Sequence, residues 1–168
     1  MGSSKDKLLK NKKKDEVKYE LGTVFTIPIN KNYYAYGQLV HQGIYGDVII
    51  IFDCTSEQVN KVNEIIQRDI LFCLSVDDEK IKNRKWKVIG ETQIPNKLKL
   101  ENNYLIEELR GPIVVDINGK FIRRATLDEE NSLPTFDSYS PSIVEDLVNA
   151  KFGNGEWEDY FNEMIYKQ

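Results

Sequence analysis

Catalysis near neutral pH draws on histidine, cysteine and paired carboxylates, and this 168-residue chain holds one histidine and two cysteines. His41 follows a strand-like run ending at Val40, with no second histidine to share a metal or relay a proton, so a zinc site is not indicated. Cys54 and Cys73 are not at ligand spacing. Each lies in or beside an apolar run, where a reduced thiol behaves as a small hydrophobe. Gly37, Gly43 and Gly46 match neither the phosphate-loop nor the dinucleotide pattern. Asp77-Asp78-Glu79 lacks the spaced oxygen ligands of a calcium loop and reads as a solvated turn. No catalytic residue, metal ligand or cofactor is therefore nominated, and the chain reads as a non-enzyme.

Two kinds of side chain remain that could recognise a partner. Tyr33, Tyr34 and Tyr36 share one strand-like run, so Tyr34 and Tyr36 lie on one face and Tyr33 on the other. Such tyrosines pack at the rim of a sheet, face a protein partner, or stack nucleic-acid bases. The acidic clusters Asp128-Glu129-Glu130 and Glu156, Glu158 and Asp159 read either as solvated faces or as a negative patch that steers a basic protein into contact.

Charge is segregated along the chain. Residues 1–20 carry seven Lys against four acids, residues 21–125 fourteen basic against thirteen acidic groups, and residues 126–168 two basic against ten acidic, for a total of −4. A near-neutral body with an acidic end argues against a phosphate-backbone partner. Residues 1–20, with the run KLLKNKKK, read as a flexible basic arm, and residues 21–168 as one domain whose acidic loop and helices at 126–168 pack on a sheet. The arm lacks the apolar stretch of a secretory signal, and Asp6 stands where a myristoylation pattern wants Ser or Thr. No apolar run approaches the ~20 residues needed to span a bilayer. A cytoplasmic protein that does not engage membranes is the expectation.

The elements that would position these groups begin with a β-meander. Val24 to Ile29, Tyr33 to Val40 and Val48 to Phe52 are β-rich runs separated by Asn30-Lys31-Asn32 and by Gly43-Ile44-Tyr45-Gly46. Thr55 with Gln58 has the form of a capping box, and Val59, Val62, Ile65 and Ile66 place a helix over about residues 56–67. Strands are predicted at Ile70 to Val76 and Trp86 to Ile89, the second ended by Gly90, with a largely irregular connection at Pro95 to Glu101. Tyr104 to Leu109 fits a helical turn or a strand equally. Asn118-Gly119 joins Ile113–Ile117 to Lys120–Ala125 as a hairpin. Residues 126–141 read as a loop. Ser140-Pro141 opens a helix whose apolar face is Ile143, Leu147 and Val148, stopped by Gly153. Trp157, Tyr160, Phe161, Met164 and Ile165 fall on one face of a final helix. The fold class is α+β: a predominantly antiparallel twisted sheet or partly open barrel, one helix after the third strand and two C-terminal helices.

The run Gly22-Thr23-Val24-Phe25-Thr26-Ile27-Pro28-Ile29, followed by Tyr34-Ala35-Tyr36-Gly37-Gln38-Leu39-Val40, resembles the Immunity protein 26 family of bacterial polymorphic toxin systems. Lys85-Trp86-Lys87-Val88-Ile89-Gly90 is similar to that family's later "W-x-V-[IV]-G" signature. The resemblance covers about residues 22–95. It implies an antidote that binds and neutralises a cognate toxin domain without chemistry of its own. The motif residues Gly22, Phe25, Pro28, Tyr36, Gly37, Trp86 and Gly90 would mostly build the sheet. Should the toxin be a basic nuclease, Asp128, Glu129, Glu130, Glu156, Glu158 and Asp159, with Tyr34 and Tyr36, are the residues nominated to face it. The alternative is a nucleic-acid-binding β domain using Tyr33, Tyr34, Tyr36 and the lysine-rich arm. The oligomeric state is not legible in the sequence.

Overall fold

The computed structural model describes residues 17–168. Strands β1 (Thr23–Pro28), β2 (Tyr34–Gly43) and β3 (Gly46–Ser56) form the expected meander. They are followed by helix α1 (Val62–Ile65), β4 (Ile70–Val76), helix α2 (Glu79–Lys82) and β5 (Val88–Glu91). A second group follows: β6 (Asn103–Ile106), β7 (Ile113–Asp116), β8 (Phe121–Arg124) and helix α3 (Leu127–Ser132). Strand β9 (Ser138–Tyr139), helix α4 (Pro141–Lys151) and a 3-10 helix (Asp159–Met164) close the described chain. The fold is α+β.

Six strands in the order β5-β1-β2-β3-β4-β9 make one sheet, antiparallel except for the parallel β4–β9 pair, and β6-β7-β8 make an antiparallel second sheet. Neither sheet closes into a barrel. The large sheet is covered on both faces, which is why β3 reads as the unbroken apolar run Val48–Phe52 rather than an alternation. Ile49 and Ile51 face a core shared with Trp86, Val144, Leu147 and Phe161. Val48, Ile50 and Phe52 face another shared with Tyr36 and Ile65.

Several expectations are corrected. The helix predicted over 56–67 shrinks to the four residues of α1, and Thr55 and Ser56 instead extend β3 opposite Ala35 and Tyr34. Tyr36 explains the change: its hydroxyl meets Ser56 Oγ and accepts the Asn60 N–H at 2.9 Å, holding residues 56–60 off the helical path. The capping box lies instead at Thr126 and Glu129, where it starts α3 inside the stretch expected to be a loop. β2 continues through His41 to Gly43, and Tyr104 lies in strand β6. Gly90 lies inside β5 rather than after it. In α4 the buried residues are Val144, Leu147 and Val148, so Val144 rather than Ile143 leads the inward face. The arm expected over residues 1–20 lies mostly outside the described residues, but Val17 and Tyr19 pack on the core and Lys18 pairs with Glu20 and Glu91.

Gln38 ties the meander to the chain after β5. It is fully buried, and its Nε2 donates to the carbonyl oxygens of Gly22 (3.2 Å), Thr92 (3.2 Å) and Gln93 (3.3 Å). Gly22 itself has φ +91°, and a Cβ there would stand 2.4 Å from the Thr92 carbonyl oxygen, so only glycine suits the position. Gln38→Leu keeps the volume but strips donors from the buried Gly22 carbonyl and the part-buried contacts to Thr92 and Gln93. It is expected to lower the unfolding free energy by about 2–3 kcal/mol, read from urea unfolding with an unchanged m-value.

Candidate partner-binding surface

The motif residues first have to be separated from those free to touch a partner. Phe25 on β1 stands opposite Gly37 on β2, and a Cβ on Gly37 would come within 2.6–2.7 Å of the Phe25 ring. The missing side chain lets that ring lie down on the sheet. Trp86 then stacks on Phe25, with centroids 5.5 Å apart and planes within 7°. The indole N–H of Trp86 donates to Glu145 Oε1 of α4 at 2.9 Å, and the other oxygen of Glu145 pairs with Lys80. Gly37, Phe25, Trp86 and Glu145 are thus one stack running from the sheet to the C-terminal helix.

The remaining motif positions are structural too. Pro28 ends β1 beyond the reach of β5, where no ladder bond from its nitrogen is needed. Gly90 lies against Val62 of α1. Tyr36, nominated above as partner-facing, is fully buried with its hydroxyl engaged, so it is withdrawn from that role. Tyr34 is half-buried against the same core, and only Tyr33 stands out, its hydroxyl donating to Glu57 at 2.8 Å.

The acidic nominees fall in two places. Asp128, Glu129 and Glu130 make up the first turn of α3, where the helix N-terminus favours negative charge. Glu129 is spent there: it accepts from the Thr126 N–H and pairs with Arg123, and these partners hold its carboxyl below the usual range. Glu156, Glu158 and Asp159 are exposed at the entry to the 3-10 helix, and no hydrogen bond or ion pair joins them to the α3 cluster among the described residues.

What the sequence pattern did not show is the company those three acids keep. The closing helix is 3-10, with three residues per turn, so Phe161 and Met164 stack on the buried side while Tyr160 and Glu163 form the neighbouring row. Trp157 and Tyr160, expected on an inward face, are 42% and 41% exposed. Both rings are braced edge-on by the buried Phe161, at 5.4 and 4.7 Å. The result is a pair of half-exposed, braced aromatic rings on a segment that also carries the exposed carboxylates Glu156, Glu158, Asp159 and Glu163.

The same segment forms one wall of a cavity of about 500 Å³ between the β4 edge and β6. That edge is covered by β9 at Ser75 and Val76, and by Ile165 and Tyr166 at Phe72 and Leu71. Cys73 and Leu74 lie between those covers. Burial pushes the Cys73 thiol up to about 12, which keeps it protonated and unreactive at neutral pH. Burial also raises Tyr104 to about 12, helped by Cys73 and Glu101, and burial with Asp137 and Glu163 raises Tyr139. Both cysteines are free. No group of three His, Cys, Asp or Glu side chains that could hold a metal occurs among the described residues.

The segment carrying the stack decides the family: the family model described as Immunity protein 26 matches residues 20–112, more than half of the chain. The chain belongs to the Immunity protein 26 family. Its members are immunity proteins of toxin systems, a class that is generally non-enzymatic. No curated protein and no solved structure matches the chain significantly. Within this Immunity protein 26 chain the matched segment holds Gly37, Phe25 and Trp86, whereas Glu145 and the aromatic–acidic patch lie after it. The stack therefore joins the family core to a C-terminal part that carries the exposed aromatic and acidic groups. Among the described residues no helix is long and apolar enough to cross a membrane.

Proposed function

We propose that this protein binds and neutralises a cognate toxin domain by non-covalent occlusion, through the acidic surface at its C-terminal end. The observation that carries the reading is that Trp157 and Tyr160, exposed yet braced, share one short segment with four exposed carboxylates, Glu156, Glu158, Asp159 and Glu163. Fixed aromatic anchors with a charged rim are the usual make-up of a protein-binding hot spot, because the rings lose little entropy on docking and the rim steers the approach. A basic toxin surface, such as the phosphate-binding cleft of a nuclease, complements it.

The cognate toxin domain is the test partner. Changing Glu156, Glu158 and Asp159 to Ser is expected to slow association about tenfold at low salt and to flatten its salt dependence. Changing Asp128, Glu129 and Glu130 is expected to have a smaller effect, since Glu129 is already paired. Binding and salt response equal to the parent protein in both variants would remove the acidic surface from the mechanism. A nucleic-acid function needs stacked, exposed tyrosines, and the burial of Tyr36 leaves that reading little support.

A further inference from the structure

Beside the patch, the ~500 Å³ cavity is bounded by groups that suit a single cation. Its size is within the ~300–1,000 Å³ range of ligand pockets. Tyr104, Phe136, Tyr139 and Tyr166 supply aromatic walls, and Phe136 is held edge-on by Tyr104 at 4.9 Å and by Tyr45 at 5.4 Å. Three carboxylates line it, Glu101, Asp137 and Glu163, against two ammonium groups, Lys99 and Lys167. Asp137 and Glu163 both act electrostatically on Tyr139, so both lie within reach of that wall of the cavity. None of the three carboxylates is in an ion pair among the described residues.

We infer that this cavity receives one arginine side chain projecting from the toxin. Aromatic walls stack a planar guanidinium, and carboxylates take its N–H groups in a forked geometry that an ammonium does not match. Glu163 belongs to both features, on the 3-10 row with Tyr160 and in the cavity wall, so a partner seated on Trp157 and Tyr160 is placed to insert a neighbouring side chain. The inference rests on the toxin-binding reading above and adds to it a second, separable contact.

The experiment uses the full 168-residue chain and N-acetyl-L-arginine methylamide as probe, with N-acetyl-L-norleucine methylamide as the uncharged control. Two-dimensional NMR at low salt is expected to show saturable shifts at Cys73, Leu74, Tyr104 and Tyr139 with the arginine probe only. The Asp137→Asn, Glu163→Gln double variant, both exposed positions, is expected to weaken the probe and the toxin about tenfold each. No saturable shift, equal shifts with norleucine, or toxin binding untouched by the double variant would overturn the cavity inference. Toxin binding that survives the double variant but is lost with Glu156, Glu158 and Asp159 changed would leave the proposed function standing alone. Toxin binding lost in neither would sink both.

Discussion

Replacing Trp86 with alanine is expected to lower the unfolding free energy by about 3–5 kcal/mol. The side chain is fully buried, and its loss opens a void above Phe25 that the rigid sheet beneath cannot close. It also leaves Glu145 with one fewer donor at a partly buried carboxylate already holding Lys80. Domains of this kind have roughly 5–15 kcal/mol in hand, so the variant should be near the edge of folding at 37 °C. Urea unfolding followed by far-UV circular dichroism measures it. Glu145→Gln keeps an oxygen for the indole N–H but leaves the Lys80 ammonium without its counter-charge, and is expected to cost about 1–2 kcal/mol. A loss under 1 kcal/mol for Trp86→Ala would show that the stack is not what joins the matched segment to α4.

The second large effect is on toxin affinity. Trp157→Ala and Tyr160→Ala are each expected to weaken binding about 30-fold, the equivalent of ~2 kcal/mol for a hot-spot side chain. The losses should appear mainly in the dissociation rate, because the rings act after contact while the neighbouring carboxylates act before it. Both rings touch Phe161, so each variant should also lose some stability, and the affinity comparison belongs at a temperature where circular dichroism shows both fully folded. Leu109→Ala removes a fully exposed apolar side chain far along the sequence and serves as the control, with no expected change. Surface plasmon resonance with the toxin domain reads all three. If the two ring variants dissociate no faster than the control, the patch is not the docking site.

Together the two predictions describe a division of labour inside one chain. The β1–β2 pair and Trp86 build a platform, and Glu145 is the hydrogen-bond link by which that platform holds α4. After α4, Gly153, with φ +86°, turns the chain toward the 3-10 helix, whose end is pinned to β4 by the Tyr166 N–H to Leu71 carbonyl bond at 2.9 Å. Trp157 and Tyr160 are thereby presented on a short segment held at both ends, outside the large sheet.

How far these features can be read from residue order differs by element. The meander, β4 and the β7–β8 hairpin were legible because turn residues and two-residue alternation are local signals, carried by neighbours along the chain. The roles of Gly37 and Trp86 as packing residues were legible in type. Their partnership was not, since Phe25, Gly37, Trp86 and Glu145 are dispersed over 120 positions and meet only when the strands pair. The helix at 56–67 failed for a similar reason: Thr55 and Gln58 fit a capping box locally, but the Tyr36 hydroxyl, some 20 residues earlier, outbid it. At the C-terminus the spacing of Trp157, Tyr160, Phe161, Met164 and Ile165 fits one face of an α-helix, but the segment winds as a 3-10 helix, whose three-residue period separates these side chains onto different rows. Which side chains turned outward was decided by long-range pairing, when Ile165 bridged to Phe72 and drew Phe161 and Met164 inward. Local preferences along the chain chose the strands and the family core; contacts between distant segments chose which aromatic side chains stay exposed, because exposure is a property of packing that no single stretch contains.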